Sequence, residues 1–333
     1  MRAVVLVGGF GTRLRPLTNS VPKPMLPVGH LPIIERHIAN LVRAGVTDVT
    51  LALGFKPEPF IAAFPDGTCA GATLNYAVDP EPLDTGGAIG YAARQVGIDS
   101  TFVVTNGDNL TDFDVNTLVD FHRDRGAEAT LHLTPVADPS AFGVVESDER
   151  GRVVRFVEKP PPGTTTSNVI SAGTYVFEPS VIDRIPAGQK ISIERIVFPA
   201  IVEDRSMWAI ATDDYWIDTG LPHLYLQANL DLIGGRRRAT ETVAAVSERA
   251  DVGNDVALTD VVVAAGATIG DGASISHSVV LDGAVVGAGA TVSHSVVMGR
   301  IGAGALVQAC IVGADGVIDD GETRSDERIP PSA

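Results

Sequence analysis

Residues suited to holding phosphate gather at the start of the chain. Gly8-Gly9-Phe10-Gly11-Thr12-Arg13-Leu14 follows an apolar, β-branched run, Ala3 to Val7, and Lys23 comes soon after among Pro16, Pro22, Pro24 and Pro27. Backbone N–H groups of small residues can approach phosphate oxygens closely. Arg13 adds a fixed fork of donors and Lys23 a mobile point charge. No Asp or Glu occurs from Met1 to Ile34, whereas Arg2, Arg13, Arg15 and Lys23 do. In a chain of formal net charge −16, a small polyanion meets least repulsion there. The turn is not a dinucleotide GxGxxG, because Leu14 stands where the last glycine belongs, and no Gly-Lys-Ser/Thr follows as a P-loop needs. The glycines alone fit a tight strand-to-loop turn as well; Thr12, Arg13 and Lys23 tip the reading toward phosphate. Asp108, just after the run Thr101 to Thr105, could hold a hard cation, and equally could cap a helix.

These residues need elements to place them. Ala3 to Val7 reads as a strand buried on both faces. Leu31 to Ala44 reads as a helix with Pro32 in its first turn, Ile34, Ile38, Leu41 and Val42 on one face, and Gly45 at its end. Strands follow over Asp48 to Leu53, Leu74 to Val78 and Thr101 to Thr105, with a helix over Ala88 to Val96. Alternating strands and helices imply a parallel, Rossmann-like α/β sheet whose ligands lie beyond the carboxyl ends of its strands. Ala129 to Val136, Val153 to Val157 and Ser171 to Phe177 have no long helix between the last two, which predicts a part-antiparallel extension and so a mixed sheet. Leu221 to Ile233 reads as a helix, followed by Gly234-Gly235 and Arg236-Arg237-Arg238, a solvated hinge or a phosphate site.

From about Val252 the composition turns to Gly, Ala and Val with almost no aromatic residue, and the stretch repeats. Ile269-Gly-Asp-Gly-Ala-Ser-Ile matches Val286-Gly-Ala-Gly-Ala-Thr-Val and Ile301-Gly-Ala-Gly-Ala-Leu-Val, and Ser276-His-Ser-Val-Val280 recurs as Ser293-His-Ser-Val-Val297. An aliphatic residue about every six positions, with glycine at the corners, predicts a hexapeptide-repeat parallel β-helix. The expected division is therefore 1–235, a linker over 236–250, and the repeat over 251–333. The repeat is expected to serve assembly and stability rather than chemistry.

Composition excludes several classes. The acidic balance argues against nucleic-acid and anionic-membrane partners. No apolar run nears the roughly 18 residues of a membrane span, and Ala3 to Val7 is too short for a signal-peptide core, so a cytoplasmic location is expected. Cys69 and Cys310 show no CxxC spacing and are expected to be reduced. The seven histidines, among them His277 and His294 one coil apart, form no metal-binding spacing; that pair could stack as a polar ladder or supply an acyltransferase base.

Gly8-Gly-Phe-Gly-Thr-Arg-Leu-Arg-Pro-Leu-Thr18 with Pro22-Lys-Pro-Met-Leu-Pro27 resembles the signature loop of the sugar-1-phosphate nucleotidyltransferases. Pro82 to Ala88, Asn106-Gly-Asp108, Phe156-Val-Glu-Lys-Pro160 and Tyr215-Trp-Ile-Asp-Thr-Gly220 are similar to later family segments, in the same order. The resemblance implies transfer of a nucleoside monophosphate from a nucleoside triphosphate to a sugar 1-phosphate, with Mg²⁺ as cofactor and a homo-oligomer formed through the β-helix. It implies that Leu6, Gly8, Gly9, Gly11, Thr12 and Arg13 bind the nucleotide and that Lys23 contacts the transferring phosphate, so that Arg13 and Lys23 are the catalytic cations. Gly86 and Gly87 would lie against the base, and Asp108 and Asp218 would hold Mg²⁺. Glu158 would bind sugar hydroxyls, Lys159 the sugar phosphate, and Gly143 and Gly173 would line the sugar pocket.

Glu81 to Ala88, and Ser192-Ile-Glu-Arg195 before Phe198-Pro199, resemble most the mannose-1-phosphate guanylyltransferases, which implies GTP and mannose 1-phosphate. Asp84 in place of a glycine and Ser171 in place of an asparagine depart from that group, and Asn109 is similar to thymidylyltransferases. A thymidylyl- or uridylyltransferase acting on glucose 1-phosphate is therefore the alternative, with a bifunctional uridylyl-and-acetyl enzyme behind it. A non-catalytic, sugar-nucleotide-binding regulatory subunit is the reading of another class. Asp84 could accept from the N–H groups of guanine, or cap the helix that starts near Gly86.

Overall fold

A computed structural model describes residues 1–9, 11–54, 57–161, 163–237 and 243–331. Phe10 of the signature loop, Arg238 of the arginine run and the middle of the expected linker lie outside the described residues. The chain packs as two compact units, Met1–Gly9 with Glu35–Trp216, and Phe10–Ile34 with Ile217–Ala333. The glycine-rich turn is thus shared, with Gly8 and Gly9 in one unit and Gly11 onward in the other.

The first unit is built on a mixed sheet of ten strands among the described residues. Its main strands are β1 (Arg2–Leu6), β2 (Asp48–Leu53), β3 (Ala72–Val78), β4 (Phe102–Asn106), β5 (Ala129–Pro135), β6 (Gly143–Ser147), β7 (Val153–Glu158), β8 (Val169–Phe177) and β9 (Met207–Ala211). A further two-residue strand, Thr68–Cys69, pairs with β3. The order β7-β6-β8-β4-β1-β2-β3 runs parallel from β4 to β3 and antiparallel where β8 meets β4 and β6. β5 pairs with β8, and β9 lies parallel to β5. In β1, Ala3, Val4 and Val5 are fully buried, as expected of a central strand covered on both faces. Phe102, Phe156, Tyr175, Phe177 and Phe198 meet edge-on or stacked with ring centroids 5.1–6.1 Å apart, filling one side of the sheet.

Strands 48–53 and 102–106 fall within one residue of where the sequence predicts them, and the part-antiparallel extension is present. Helices deviate more. α1 covers Ile33–Arg43, and Pro32 lies ahead of it in a two-residue strand, not in its first turn. α2 covers Asp84–Gln95 and begins four residues before the expected Ala88, through a pair of glycines that local propensity reads as loop. α3, Val115–Arg125, was not anticipated, although Asp114 accepts from the Asn116 N–H at 3.0 Å as its N-cap and Gly126, at φ 55°, closes it.

In the second unit the repeat winds as stacked parallel coils. Val252, Ile269, Val286, Ile301 and Ile318 align in one column, and Val263, Val280, Val297, Val312 and Ile329 in another. The inner coils therefore bury one small aliphatic side chain per face, as the hexapeptide spacing requires, while Val252 at the start is exposed and Ile329 at the end half-buried. Ser278 Oγ accepts from the Ser295 N–H at 3.1 Å and Ser295 Oγ from the Cys310 N–H at 3.0 Å, an inward polar ladder. His277 and His294 stack with centroids 5.0 Å apart, and His277 Nε2 lies 3.2 Å from Asp260 Oδ2. This is the ladder arrangement, and both cysteines are free. No helix among the described residues is long and apolar enough to cross a membrane.

Within the first unit His132, on β5, is stacked on Phe113 at 3.7 Å and its Nε2 lies 2.9 Å from Thr212 Oγ1. Burial lowers its pKa from 6.5 to about 3, so the folded chain holds it neutral while the unfolded chain protonates near 6.5. The stability this contributes is present above pH 6.5 and is lost as pH falls toward 3. His132→Phe, which cannot titrate, should narrow the drop in Tm between pH 7 and pH 5 by about 3 °C. An unchanged drop in thermal melts at the two pH values would count against this assignment.

Candidate active site

In the second unit the signature loop is held from within and from a helix. Leu14, Leu17 and Leu26 are fully buried, and Thr18 Oγ1 donates to the Gly11 carbonyl at 2.8 Å. Helix α5, which follows the short α4 (Phe198–Glu203), covers Pro222–Ile233. Its Asn229 accepts from the Gly29 N–H at 2.8 Å, and its Tyr225 hydroxyl donates to the Pro27 carbonyl. This anchoring brings Lys23 and Arg13 onto one carboxylate. Lys23 Nζ lies 3.1 Å from Asp218 Oδ1 and Arg13 Nη2 3.6 Å from Oδ2. The Gly220 N–H donates to Asp218 Oδ1 at 2.8 Å. Lys23 has 5% of its side chain exposed and Arg13 57%, so one cation is built in while the other faces solvent.

Gly220 leaves room for Arg13 at this carboxylate. A Cβ there would lie 2.6 Å from Arg13 Nη2 and 2.9 Å from Asp218 Oδ1. Thr12 and Arg13 form a single 3₁₀ turn after Gly11, whose φ of 59° lets the chain reverse.

In the first unit, the other expected residues lie at strand ends. Leu6 closes β1, and the Gly107 N–H donates to its carbonyl at 2.9 Å, which sets Asp108 directly beyond the ends of β1 and β4. Gly8 passes close to Gly54. Gly86 and Gly87 sit in the first turn of α2 and are buried against Gln189 to Ile193, with the Gly87 N–H donating to the Ile191 carbonyl at 3.0 Å. The side a Cβ would occupy is therefore filled by protein. Asp84, exposed and at φ 61°, is the first residue of α2 and accepts from the Thr85 N–H at 2.8 Å; the N-cap position is held by Leu83, with no side-chain cap, so Asp84 is not the cap the sequence offered.

Gly143 and Glu158 face each other across β6 and β7, and the Lys159 N–H donates to the Phe142 carbonyl at 2.9 Å. Lys159 Nζ lies 3.4 Å from Glu158 Oε1. Burial, and next the charge of Glu194, raise the Glu158 pKa, while Lys159 opposes the rise. β8 bulges between Ser171 and Tyr175, with Gly173 at φ 78°. There Gly173 abuts the Asn106 and Asn109 side-chain amides.

Three side chains to which the sequence assigned no contact also take part: Glu194, Asn109 and Trp216. Glu194 accepts from Thr85 Oγ1 at 2.7 Å and from Ser192 Oγ at 2.8 Å, and so ties the start of α2 to the Ser192-Ile-Glu-Arg195 segment. Asn109 is buried and donates to the Ala172 carbonyl at 2.9 Å, to which Trp216 Nε1 also donates at 2.9 Å. Asn109 therefore shapes the bulge. The only sequence signal for Glu194 was its place in the quoted segment.

The arrangement can neutralise an anion and order polar hydroxyls, which suits phosphate chemistry. Gly220→Ala should push Arg13 off Asp218 and weaken binding of a polyphosphate anion such as tripolyphosphate about tenfold, with Tm kept within about 2 °C. Calorimetric titration giving wild-type affinity would show that the Arg13–Asp218 contact is incidental.

Residues 2–234 match the Nucleotidyl transferase family and residues 244–324 the GlmU-like, C-terminal hexapeptide family. Mannose-1-phosphate guanylyltransferase of Mycobacterium tuberculosis is 46% identical over 235 residues, 70% of this chain and 65% of that protein. Mannose-1-phosphate guanyltransferase of Gibberella zeae is 41% identical over 232 residues, 68% of this chain and 62% of its own length. The match thus spans a little less than two thirds of each relative. The crystal structure of HddC from Yersinia pseudotuberculosis complexed with GMP-PN superposes with a TM-score of 0.58 at 28% identity, covering 68% of this chain and 97% of that one. With its family match extending from β1 to the end of α5, the chain belongs to the nucleotidyl transferase family.

Proposed function

We propose that the chain transfers a nucleoside monophosphate from a nucleoside triphosphate to a sugar 1-phosphate, giving a nucleoside-diphosphate sugar and pyrophosphate, with GTP and mannose 1-phosphate as its pair. The observation that carries this is the buried Lys23 beside Arg13 on one carboxylate, in a segment with no acid of its own from Met1 to Ile34. A site that neutralises charge and offers no nucleophile suits in-line transfer. A sugar-phosphate oxygen forms a bond to the α-phosphorus, and the bond from that phosphorus to the β-phosphate oxygen breaks.

In this reading Leu6, Gly8, Gly9, Gly11, Thr12 and Arg13 hold the nucleotide, largely through backbone N–H groups. Lys23 exchanges part of its contact with Asp218, 3.1 Å away, for the phosphate being transferred. Gly86 and Gly87 offer the base their backbone. Glu158 orders sugar hydroxyls beside Gly143 and Gly173, and Lys159 the sugar phosphate. Members of this family generally use a divalent metal. Mg²⁺ is bound through one or two carboxylates, water and substrate phosphates, a donor set that Asp108 and Asp218 fit. Among the described residues no cluster of three or more His, Cys, Asp or Glu side chains could hold a metal, so the phosphates would complete the ion's shell. Bound there, the ion would offset charge on the phosphates as pyrophosphate leaves.

Guanine is favoured by the names of the relatives and by the GMP-PN complex of HddC. Asp84, with Oδ1 engaged by its own helix, bears less on that choice than the sequence implied. We assign 1–235 as the catalytic domain, 236–250 as linker and 251–333 as the β-helix, through which copies of the chain would associate, and place the protein in the cytoplasm.

Pyrophosphate release, measured with each triphosphate against a panel of sugar 1-phosphates, should give the highest kcat/KM for GTP with mannose 1-phosphate. A higher value for dTTP or UTP with glucose 1-phosphate would overturn the pairing. Lys23→Ala should lower kcat on the order of a hundredfold, and Asp108→Asn, Asp218→Asn or EDTA should abolish turnover. Full activity without divalent metal would refute the roles given to the two aspartates.

A further inference from the structure

The end of the repeat touches the signature loop within the second unit. Arg328 Nη1 donates to the Arg13 carbonyl at 2.9 Å and to the Arg15 carbonyl at 2.6 Å. Nearby, Gly313 lies against Pro16 so closely that a Cβ on it would come within 2.7 Å of the Pro16 Cβ and 2.9 Å of its Cγ. Both contacts come from the last coils, in which Ile311–Val312 pairs with Arg328–Ile329 and the Gly313 N–H donates to the Ile329 carbonyl at 2.7 Å. Ile329 packs against the apolar core of the repeat. Arg328 thus projects from a backbone that the whole stack holds in place.

What the contact does follows from peptide planarity. The Arg13 carbonyl and the Leu14 N–H belong to one rigid plane. Arg328 grips that plane at its oxygen, and the Gly11 carbonyl accepts from the Leu14 N–H at 3.0 Å. On the other side of the Arg13 Cα, the Thr12 carbonyl accepts from the Arg15 N–H at 3.2 Å. Both peptide planes flanking Arg13 are therefore held, one of them through the β-helix. With neither free to turn, the direction in which Arg13 leaves the backbone is set before any ligand arrives.

We infer that Arg328 is a positioning residue for the nucleotide: the terminal coil of the β-helix acts as a strut that preorders the phosphate-binding loop around Arg13. The inference rests on the reaction proposed above, and it departs from the expectation that the repeat serves assembly and stability rather than chemistry. A loop that spends only part of its time in the competent shape binds more weakly by that fraction. Removing the strut therefore acts on nucleotide affinity first.

The test uses the full chain with Arg328→Ala, Arg328→Lys and Gly313→Ala. In initial-rate measurements Arg328→Ala should raise the KM for GTP about five- to tenfold and leave the KM for mannose 1-phosphate within about twofold. Arg328→Lys, which keeps a cationic donor, should recover a large part of the loss. Gly313→Ala, which displaces Pro16, should raise the KM for GTP in the same direction. Amide hydrogen exchange over residues 11–22 should quicken in Arg328→Ala, with Tm kept within about 2 °C. A GTP KM within twofold of wild type together with unchanged exchange would overturn the strut, as would a rise in both KM values that lysine does not rescue. Exchange needs no turnover. A wild-type chain inactive on every substrate pair would sink the proposed reaction and leave exchange to decide the strut.

Discussion

Lys23 has only 5% of its side chain exposed, and a charge taken out of water is costly unless it is paired. Asp218 supplies the pair at 3.1 Å, and much of the second unit's geometry serves that contact. Lys23 belongs to a loop rich in proline, while Asp218 comes nearly two hundred residues later, so no local preference could bring them together. Buried Leu14, Leu17 and Leu26, with Tyr225 and Asn229 of α5 bonded to the loop backbone, supply the needed anchoring. Gly220 leaves room for Arg13 to share the same carboxylate. The outcome is a pair of cations meeting on one aspartate, able to exchange that contact for a ligand's phosphates.

The first unit solves a different problem, which is how a sheet can gather polar groups at one place. Strands β4, β1, β2 and β3 run parallel, which ends them on the same side and places Asp108 and Gly8 at their carboxyl ends. Antiparallel β8 then interrupts its pairing at Gly173, where Asn109 secures the Ala172 carbonyl. Beyond it, β6 and β7 bring Gly143 opposite Glu158. Burial, and next the charge of Glu194, raise the pKa of Glu158, and Glu194 itself accepts hydrogen bonds from Thr85 and Ser192.

The repeat depends on neither constraint. Each coil buries small aliphatic residues and passes its backbone hydrogen bonds to the next, so its stiffness comes from stacking rather than from a large core. Stiffness of that kind is useful where a loop must be braced. Arg328 meets the backbone of Arg13 and Arg15 from a strand whose partner, Ile311–Val312, is itself stacked on the coil below.

Periodicity and short-range chemistry were legible in the sequence. The inward aliphatic of each coil recurs at fixed spacing, so the β-helix could be read before any contact was known, and so could the buried strands at 2–6 and 102–106. The acid-free segment with Arg13 and Lys23 marked the phosphate chemistry for the same reason, since like charges repel whatever the fold. The start of α2 was less legible, because Gly86 and Gly87 weaken a helix locally and are admitted only by the close approach of residues 189–193. Asn109 stood out in the sequence only by its similarity to thymidylyltransferases, and its donation to the Ala172 carbonyl follows from β8 passing beside it. By itself, the sequence determined which residues could neutralise phosphate and which stretches had to stack or form sheet, because those properties belong to residue types and their spacing. Only the tertiary structure decided that Lys23 and Arg13 share Asp218, that Glu194 joins Thr85, and that Arg328 reaches the loop, because each joins partners far apart in the chain whose meeting depends on strand register and on the packing of other segments.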